Sequence, residues 1–160
     1  MKLIEYTAKY KDYLNNYYLA DDTFSKSPQE SLLQTHRGSE LHRILALNHD
    51  DLVTFFVLDE GRDKYDYTDR TDSILLRSFS TDSRYARKGF ALQALKELPA
   101  FVQEKFPHIK TIILGVNQEN TKAIQLYKKG GFYDTGRKYS GRKGWQLIFE
   151  LPIYQYYSTN

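Results

Sequence analysis

Three segments near the middle of the chain limit its fold more than anything else in the sequence. Ser73–Thr81 reads as a strand, Lys88–Phe106 carries Leu92, Leu95, Leu98, Phe101 and Val102 at helical spacing, and Thr111–Val116 is a strongly apolar strand. A strand, a helix and a second strand form a crossover unit, and such crossovers are right-handed. Parallel strands linked this way belong to a sheet covered by helices. Pro99 lies inside the helical segment, where its missing N–H and its ring should kink or divide the helix.

The flanking sequence extends this unit. Leu3–Thr7 reads as a short strand, and Lys9–Leu19 as a helix with Tyr10, Tyr13, Leu14, Tyr17 and Tyr18 in phase. Ser27-Pro28-Gln29-Glu30 is a helix start, with a serine cap, proline in the first turn and glutamate at the third position, and Ser31–Thr35 continues it. His42–Asn48 and Leu52–Leu58 flank His49-Asp50-Asp51 as a β-hairpin. Glu60–Asp72 is polar, rich in Asp and Tyr, and reads as a loop. Asn120–Lys129 is a helix capped by Asn120, and Phe132–Lys138 and Trp145–Leu151 form a closing strand pair joined through Ser140-Gly141-Arg142. The order β-α-α-β-β-β-α-β-α-β-β predicts an α/β protein with a central mixed β-sheet and helices on both faces. No linker or repeat interrupts it, so residues 1–160 are expected to form one domain.

The chain has no cysteine, which excludes disulfides, thiolate metal ligands and a covalent cysteine intermediate. Its histidines, at 36, 42, 49 and 108, lack metal-ligand spacing, so no metal is expected. Met1–Tyr6 shows no signal pattern, and no run approaches the ~20 apolar residues of a membrane span. A soluble, cytoplasmic protein with no membrane partner is the expectation. Residues 1–83 hold 10 Lys/Arg against 15 Asp/Glu, whereas residues 84–160 hold 13 against 5. Such a split suits an anionic ligand on the second half and a cationic one on the first, or it is simply solvated charge. The basic half, with Arg137-Lys138 and Arg142-Lys143 among tyrosines, also resembles a nucleic-acid surface, but no nucleic-acid motif accompanies it and none is expected to bind.

Two runs carry chemistry. In Phe79-Ser-Thr-Asp-Ser-Arg-Tyr-Ala-Arg-Lys-Gly-Phe-Ala91 a strand ends and a helix opens on a basic, glycine-containing turn. Backbone N–H groups at such a helix start attract anions; Gly89 and Ala91 allow close approach, and Arg87 and Lys88 add charge. The alternative is a packing glycine. In the second run, Asn120 and Tyr127 stand two turns apart on one helix with the small Ala123 between them. A slender ligand fits along that face, or Asn120 only caps and Tyr127 only packs.

Together these runs resemble the GNAT acetyltransferases. Ala86-Arg87-Lys88-Gly89-Phe90-Ala91 follows the family's Gln/Arg-x-x-Gly-x-Gly/Ala pyrophosphate loop, and Asn120, Ala123, Tyr127, Gly131 and Phe132 match its Asn-x-x-Ala-x-x-x-Tyr-x-x-x-Gly-Phe segment in full. Ala86 departs from the usual Gln or Arg, which removes one side chain from a loop whose contacts are largely backbone. The resemblance covers about residues 74–138 closely and the upstream part by order of elements. It implies a splayed notch between Ser73–Thr81 and Thr111–Val116 that takes acetyl-CoA as co-substrate. It further implies that backbone groups of Phe79, Ser80 and Thr81 pair with the pantetheine, and that amides from Arg87 through Lys88, Gly89, Phe90 and Ala91 to Leu92 hold the pyrophosphate. Asn120 would hydrogen-bond the pantetheine and Tyr127 would protonate the departing thiolate.

The expected activity is direct transfer of an acetyl group to a small primary amine in a ternary complex, since no cysteine offers a ping-pong route. An alkyl ammonium has a pKa near 10.4 and must lose a proton before attack. A backbone N–H at Phe79 or Ser80 is the candidate oxyanion donor. Asp59, Glu60 and Asp72 are candidate bases or solvated loop carboxylates, and Arg77 either orients an acceptor carboxylate or pairs with a loop aspartate. The acidic 59–72 loop favours a cationic acceptor such as a polyamine, and the chain is loosely similar to bacterial polyamine acetyltransferases. An amino acid, a protein amino terminus, and a non-catalytic CoA-binding role are the alternatives. The Ile153-Tyr-Gln-Tyr-Tyr157 tail either packs on a second copy, giving a homodimer, or covers its own sheet.

Overall fold

The computed structural model describes residues 1–33 and 40–153. A seven-stranded sheet in the order β1-β2-β3-β4-β5-β7-β6 organises the molecule. Its strands are β1 (Lys2–Glu5), β2 (Leu41–Asn48), β3 (Asp51–Asp59), β4 (Ser73–Thr81), β5 (Thr111–Asn117), β6 (Tyr133–Gly141) and β7 (Gly144–Pro152). The pairings β1–β2, β2–β3 and β3–β4 are antiparallel, β4–β5 is parallel, and β7 lies antiparallel between β5 and β6. This is the predicted mixed sheet.

Strand alternation feeds two cores. Ile44, Phe56, Leu58, Ile74, Leu76, Ile112 and Leu114 meet Leu95, Leu98, Phe101 and Val102 of α3 (Phe90–Lys105) on one face. Leu45, Phe55 and Val57 turn to the other face and meet Leu14 of α1 (Lys11–Asn15), Tyr17, and Leu32 beside α2 (Pro28–Ser31). Both faces are covered because β2 and β3 are apolar at successive positions rather than every second one. The remaining helix, α4 (Thr121–Lys129), packs on the α3 side. None of the described helices is long and apolar enough to cross a membrane.

Four expectations change. The predicted Lys9–Leu19 helix is a 3₁₀ turn at Ala8–Tyr10 followed by α1, which stops at Asn15. Asn15 and Asn16 are weak helix formers, and the N–H of Tyr18 goes to the Asp82 carboxylate at 3.0 Å instead of a helical carbonyl. The Ser27 cap forms, accepting from Glu30 N at 3.2 Å, but α2 ends at Ser31; Gln34 and Thr35 lie outside the described residues. Pro99 does not divide α3, which runs unbroken with Pro99 buried. The last hairpin turns at Arg142-Lys143 rather than through Ser140-Gly141-Arg142, because Gly144 supplies the positive φ of 113°. His36 and residues 154–160 of the tail also lie outside the described residues, while Ile153 is buried in the α3-side core.

Candidate active site

β4 and β5 pair only over Ser73–Leu75 and Thr111–Ile113. Beyond this short ladder β4 runs on to Thr81 and β5 to Asn117 without pairing to each other. On its other side β4 carries a bulge, with Ser78 and Phe79 both opposite Phe56, and Ser78 adopts a φ of 56°. The result is the predicted notch, a cleft of about 570 Å³. Strand edges left unpaired in this way are templates for an extended ligand.

Six of the predicted site residues line this cleft: Phe79, Ser80, Thr81, Ala91, Asn120 and Tyr127. Arg87, Lys88, Gly89, Phe90 and Leu92 stand outside its lining, on the turn that opens α3 next to Ala91. Arg87 and Gly89 both take left-handed φ values, 65° and 83°. Alternation of this kind turns successive N–H groups toward one side, and strain in a non-glycine residue such as Arg87 is found where a site requires it. Nothing lies within 4 Å of a Cβ built on Gly89. Gly89→Ala should therefore leave packing intact but charge the turn roughly 1–2 kcal/mol for its left-handed backbone. Calorimetry should then show a loss of unfolding free energy of that size.

Asn120 accepts from Ala123 N at 3.3 Å as the cap of α4, which leaves its amide NH₂ for the cleft. Tyr127 is the one buried side chain of α4, its ring between Phe79 and Phe132 with centroids 5.9 and 5.8 Å away. Burial raises its phenol well above the ordinary tyrosine range, so it stays protonated at neutral pH.

The candidate bases do not reach the cleft. Asp59 is fully buried rather than solvated; it accepts from Gly61 N and from Arg77 Nη1, each at 2.8 Å. Glu60 binds His42 Nε2 at 2.6 Å, and Asp72 binds Arg70 Nε at 2.8 Å. Arg77 follows the second of its two predicted roles, holding Asp59 and also Asp63 at 2.9 Å. Burial would lower its pKa, but the bonds it donates to Asp63 and Asp59 outweigh that and raise it. Of the acidic 59–72 loop only Tyr67 lines the cleft, so the loop's carboxylates do not make its wall.

As lining residues, sequence reasoning singled out neither Tyr67 nor Gln146 nor any member of the segment from Leu19 to Lys26. Tyr67 Oη donates to Gln146 Oε1 at 2.8 Å across the cleft floor. The 19–26 segment closes the rim: Ser25 Oγ donates to Phe79 O at 3.1 Å, and Lys143 Nζ donates to Thr23 O. One signal for Tyr67 was available, the glycine at position 115 of an otherwise apolar strand, which marks a close approach. A Cβ there would lie 2.2 Å from Gln146 Oε1 and 2.5 Å from Tyr67 Cε1. Gly115→Ala should thus push both side chains aside and cost about 1–3 kcal/mol in a urea melt.

The family described as "Acetyltransferase (GNAT) family" matches residues 7–132. The uncharacterized N-acetyltransferase YbbJ of Bacillus subtilis is 37% identical over 129 residues, spanning 80% of this chain and 81% of its own length. Among solved structures, aminoglycoside acetyltransferase AAC(6')-Ib in complex with coenzyme A aligns with a TM-score of 0.75 over 99% of this chain and 98% of its own, at 13% identity. The ribosomal-protein-S18-alanine N-acetyltransferase of Escherichia coli aligns with a TM-score of 0.67 over 95% and 93%, at 18% identity. Those two structures share the fold. Splayed strands, left-handed turn, capped helix with its buried tyrosine and the sequence matches agree: the chain belongs to the GNAT family of acetyl-CoA-dependent N-acetyltransferases.

Proposed function

We propose that this protein moves an acetyl group from acetyl-CoA to a small primary amine by direct transfer in a ternary complex. The observation that carries the reading is the cleft itself, with β4 and β5 unpaired to each other beyond Leu75 and Ile113, Asn120 and Tyr127 on its wall and the α3 turn at its end. Amides of the Arg87–Leu92 turn hold the pyrophosphate, while β4 groups at Phe79–Thr81 and the Asn120 amide align the pantetheine. A backbone N–H at Phe79 or Ser80 meets the carbonyl oxygen as it becomes an oxyanion. The amine nitrogen bonds to the carbonyl carbon, the C–S bond breaks, and Tyr127 supplies the proton that the sulfur takes up. The nitrogen's surplus proton leaves through water, since Asp21 is the one carboxylate among the described lining residues, and water returns a proton to Tyr127 as product departs.

The acceptor follows less directly. A cationic amine such as a polyamine draws support from the negative balance of residues 1–83. The cleft wall does not add to it, because Asp21 stands there with Lys26, Arg77 and Lys122. The test is release of free thiol from acetyl-CoA across spermidine, an aminoglycoside, free amino acids and peptides with open amino termini. Turnover on any primary amine supports the reading. Tight acetyl-CoA binding without turnover on any of them would favour the non-catalytic alternative.

A further inference from the structure

We infer that Tyr67 receives the acceptor: its hydroxyl, fixed by Gln146, accepts an N–H of the incoming amine, and its ring restricts the acceptor to slender primary amines. This rests on the acetyl-transfer reading of the cleft.

The two faces of β5 separate the two halves of the reaction. Ile112, Leu114 and Val116 pack in the core that contains Tyr127. Ile113 faces the other way and packs with Leu75, Ile148, Tyr67 and Tyr139, and Gly115 shares that face. The gap between β4 and β5 is thus a window through the sheet, with Tyr127 on one side and Tyr67 on the other. A proton donor for sulfur on one side leaves the opposite side for the nucleophile.

Tyr67 is also held too firmly for an ordinary loop residue. Its N–H donates to Lys64 O at 2.9 Å, its carbonyl accepts from Arg137 Nη1, and its ring lies 5.2 Å from that of Tyr139. Lys64 in turn is buried and donates to Thr71 O at 3.1 Å and Ser73 O at 2.9 Å, which ties the loop to the start of β4. Fixing a side chain through its neighbours is what a precise binding group needs.

The direction of its hydrogen bond decides what Tyr67 offers. Its proton is committed to Gln146 Oε1, so its remaining capacity is to accept. An attacking amine must keep its lone pair for carbon, and presents only N–H donors to the site. A carboxylate in that place would hold the nitrogen as ammonium. Tyr67 avoids this: burial raises its phenol above the usual range despite nearby Arg77, so the oxygen stays neutral. The ring packs against β5 so closely that a Cβ on Gly115 would stand 2.5 Å from its Cε1, and in that position it narrows the window between β4 and β5 on the acceptor's side.

The test is steady-state kinetics of the full chain with acetyl-CoA and a series of unbranched and α-branched alkylamines, alongside the best acceptor from the amine panel. Tyr67→Phe should raise the acceptor KM about tenfold, as loss of one hydrogen bond does, with the acetyl-CoA KM unchanged. Gln146→Leu, which frees the hydroxyl to rotate, should raise it less. Tyr67→Ala should admit α-branched amines that the wild type rejects. Wild-type turnover with an unchanged acceptor KM in Tyr67→Phe overturns this inference alone, as does a change confined to the acetyl-CoA KM. Absence of wild-type turnover on every amine overturns the transfer reading and this inference with it.

Discussion

Tyr127→Phe should lower kcat by about a hundredfold or more, within the range that a positioned general acid contributes. The ring is retained, so its packing against Phe79 and Phe132 should persist and acetyl-CoA affinity should change little. Because burial raises the phenol, the wild-type rate should show no loss from Tyr127 ionisation between about pH 7 and 10. A variant that retains full kcat would remove Tyr127 from the chemistry and leave it a packing residue. A variant that loses acetyl-CoA binding would mean the hydroxyl serves the cofactor rather than the leaving group.

The second large effect is expected at Asp82, far less conspicuous in sequence. Its carboxylate is fully buried and accepts from Tyr18 N at 3.0 Å, Arg84 N at 2.9 Å and Arg84 Nη2 at 2.7 Å. It caps the 3₁₀ turn Ser83–Tyr85, which leads into the α3 turn, and simultaneously fixes the chain entering the 19–26 rim. Asp82→Ala should cost about 3 kcal/mol in urea unfolding by leaving buried donors unmatched, and should weaken acetyl-CoA binding as well. Burial alone would raise the Asp82 pKa, but the bonds from Arg84 and from the Tyr18 and Arg84 N–H groups hold it below the ordinary carboxylate range. A depressed folded pKa stabilises the protein above the unfolded value of about 3.9, and that contribution is lost as pH falls through the folded one. The stability gap between wild type and Asp82→Asn should accordingly narrow as pH drops below about 4. A gap independent of pH would show that the carboxylate charge contributes nothing.

What the sequence revealed follows from how local each determinant is. Ser73–Thr81 was legible to the residue because an apolar run ends at polar neighbours on both sides. The Asn120 cap and the Tyr127 spacing were equally legible, both being written within one helix. The shortening of α1 was not, because it depends on Asp82, 64 residues from Tyr18 in sequence. Tyr67 was hidden for the same reason. The 60–72 stretch has no apolar period, and contacts distant in sequence, to Gln146, Arg137 and Tyr139, fix the position of Tyr67. Composition overstates the free negative charge of this loop, since ion pairs to Arg77 and Arg70 engage Asp59, Asp63 and Asp72 without changing the count.

The placement of β7 between β5 and β6 has a consequence for how the protein comes into being. Order in space departs here from order of synthesis, so residues 111–117 wait for residues 144–152 before their second edge is covered. During that interval β5 presents an apolar edge of the kind that recruits other chains. Gln146 arrives on the same late strand, so the floor of the cleft cannot be set until β7 has docked. Stability of the last hairpin therefore bears on two outcomes at once, the yield of soluble protein and the fraction of it with a finished cleft floor.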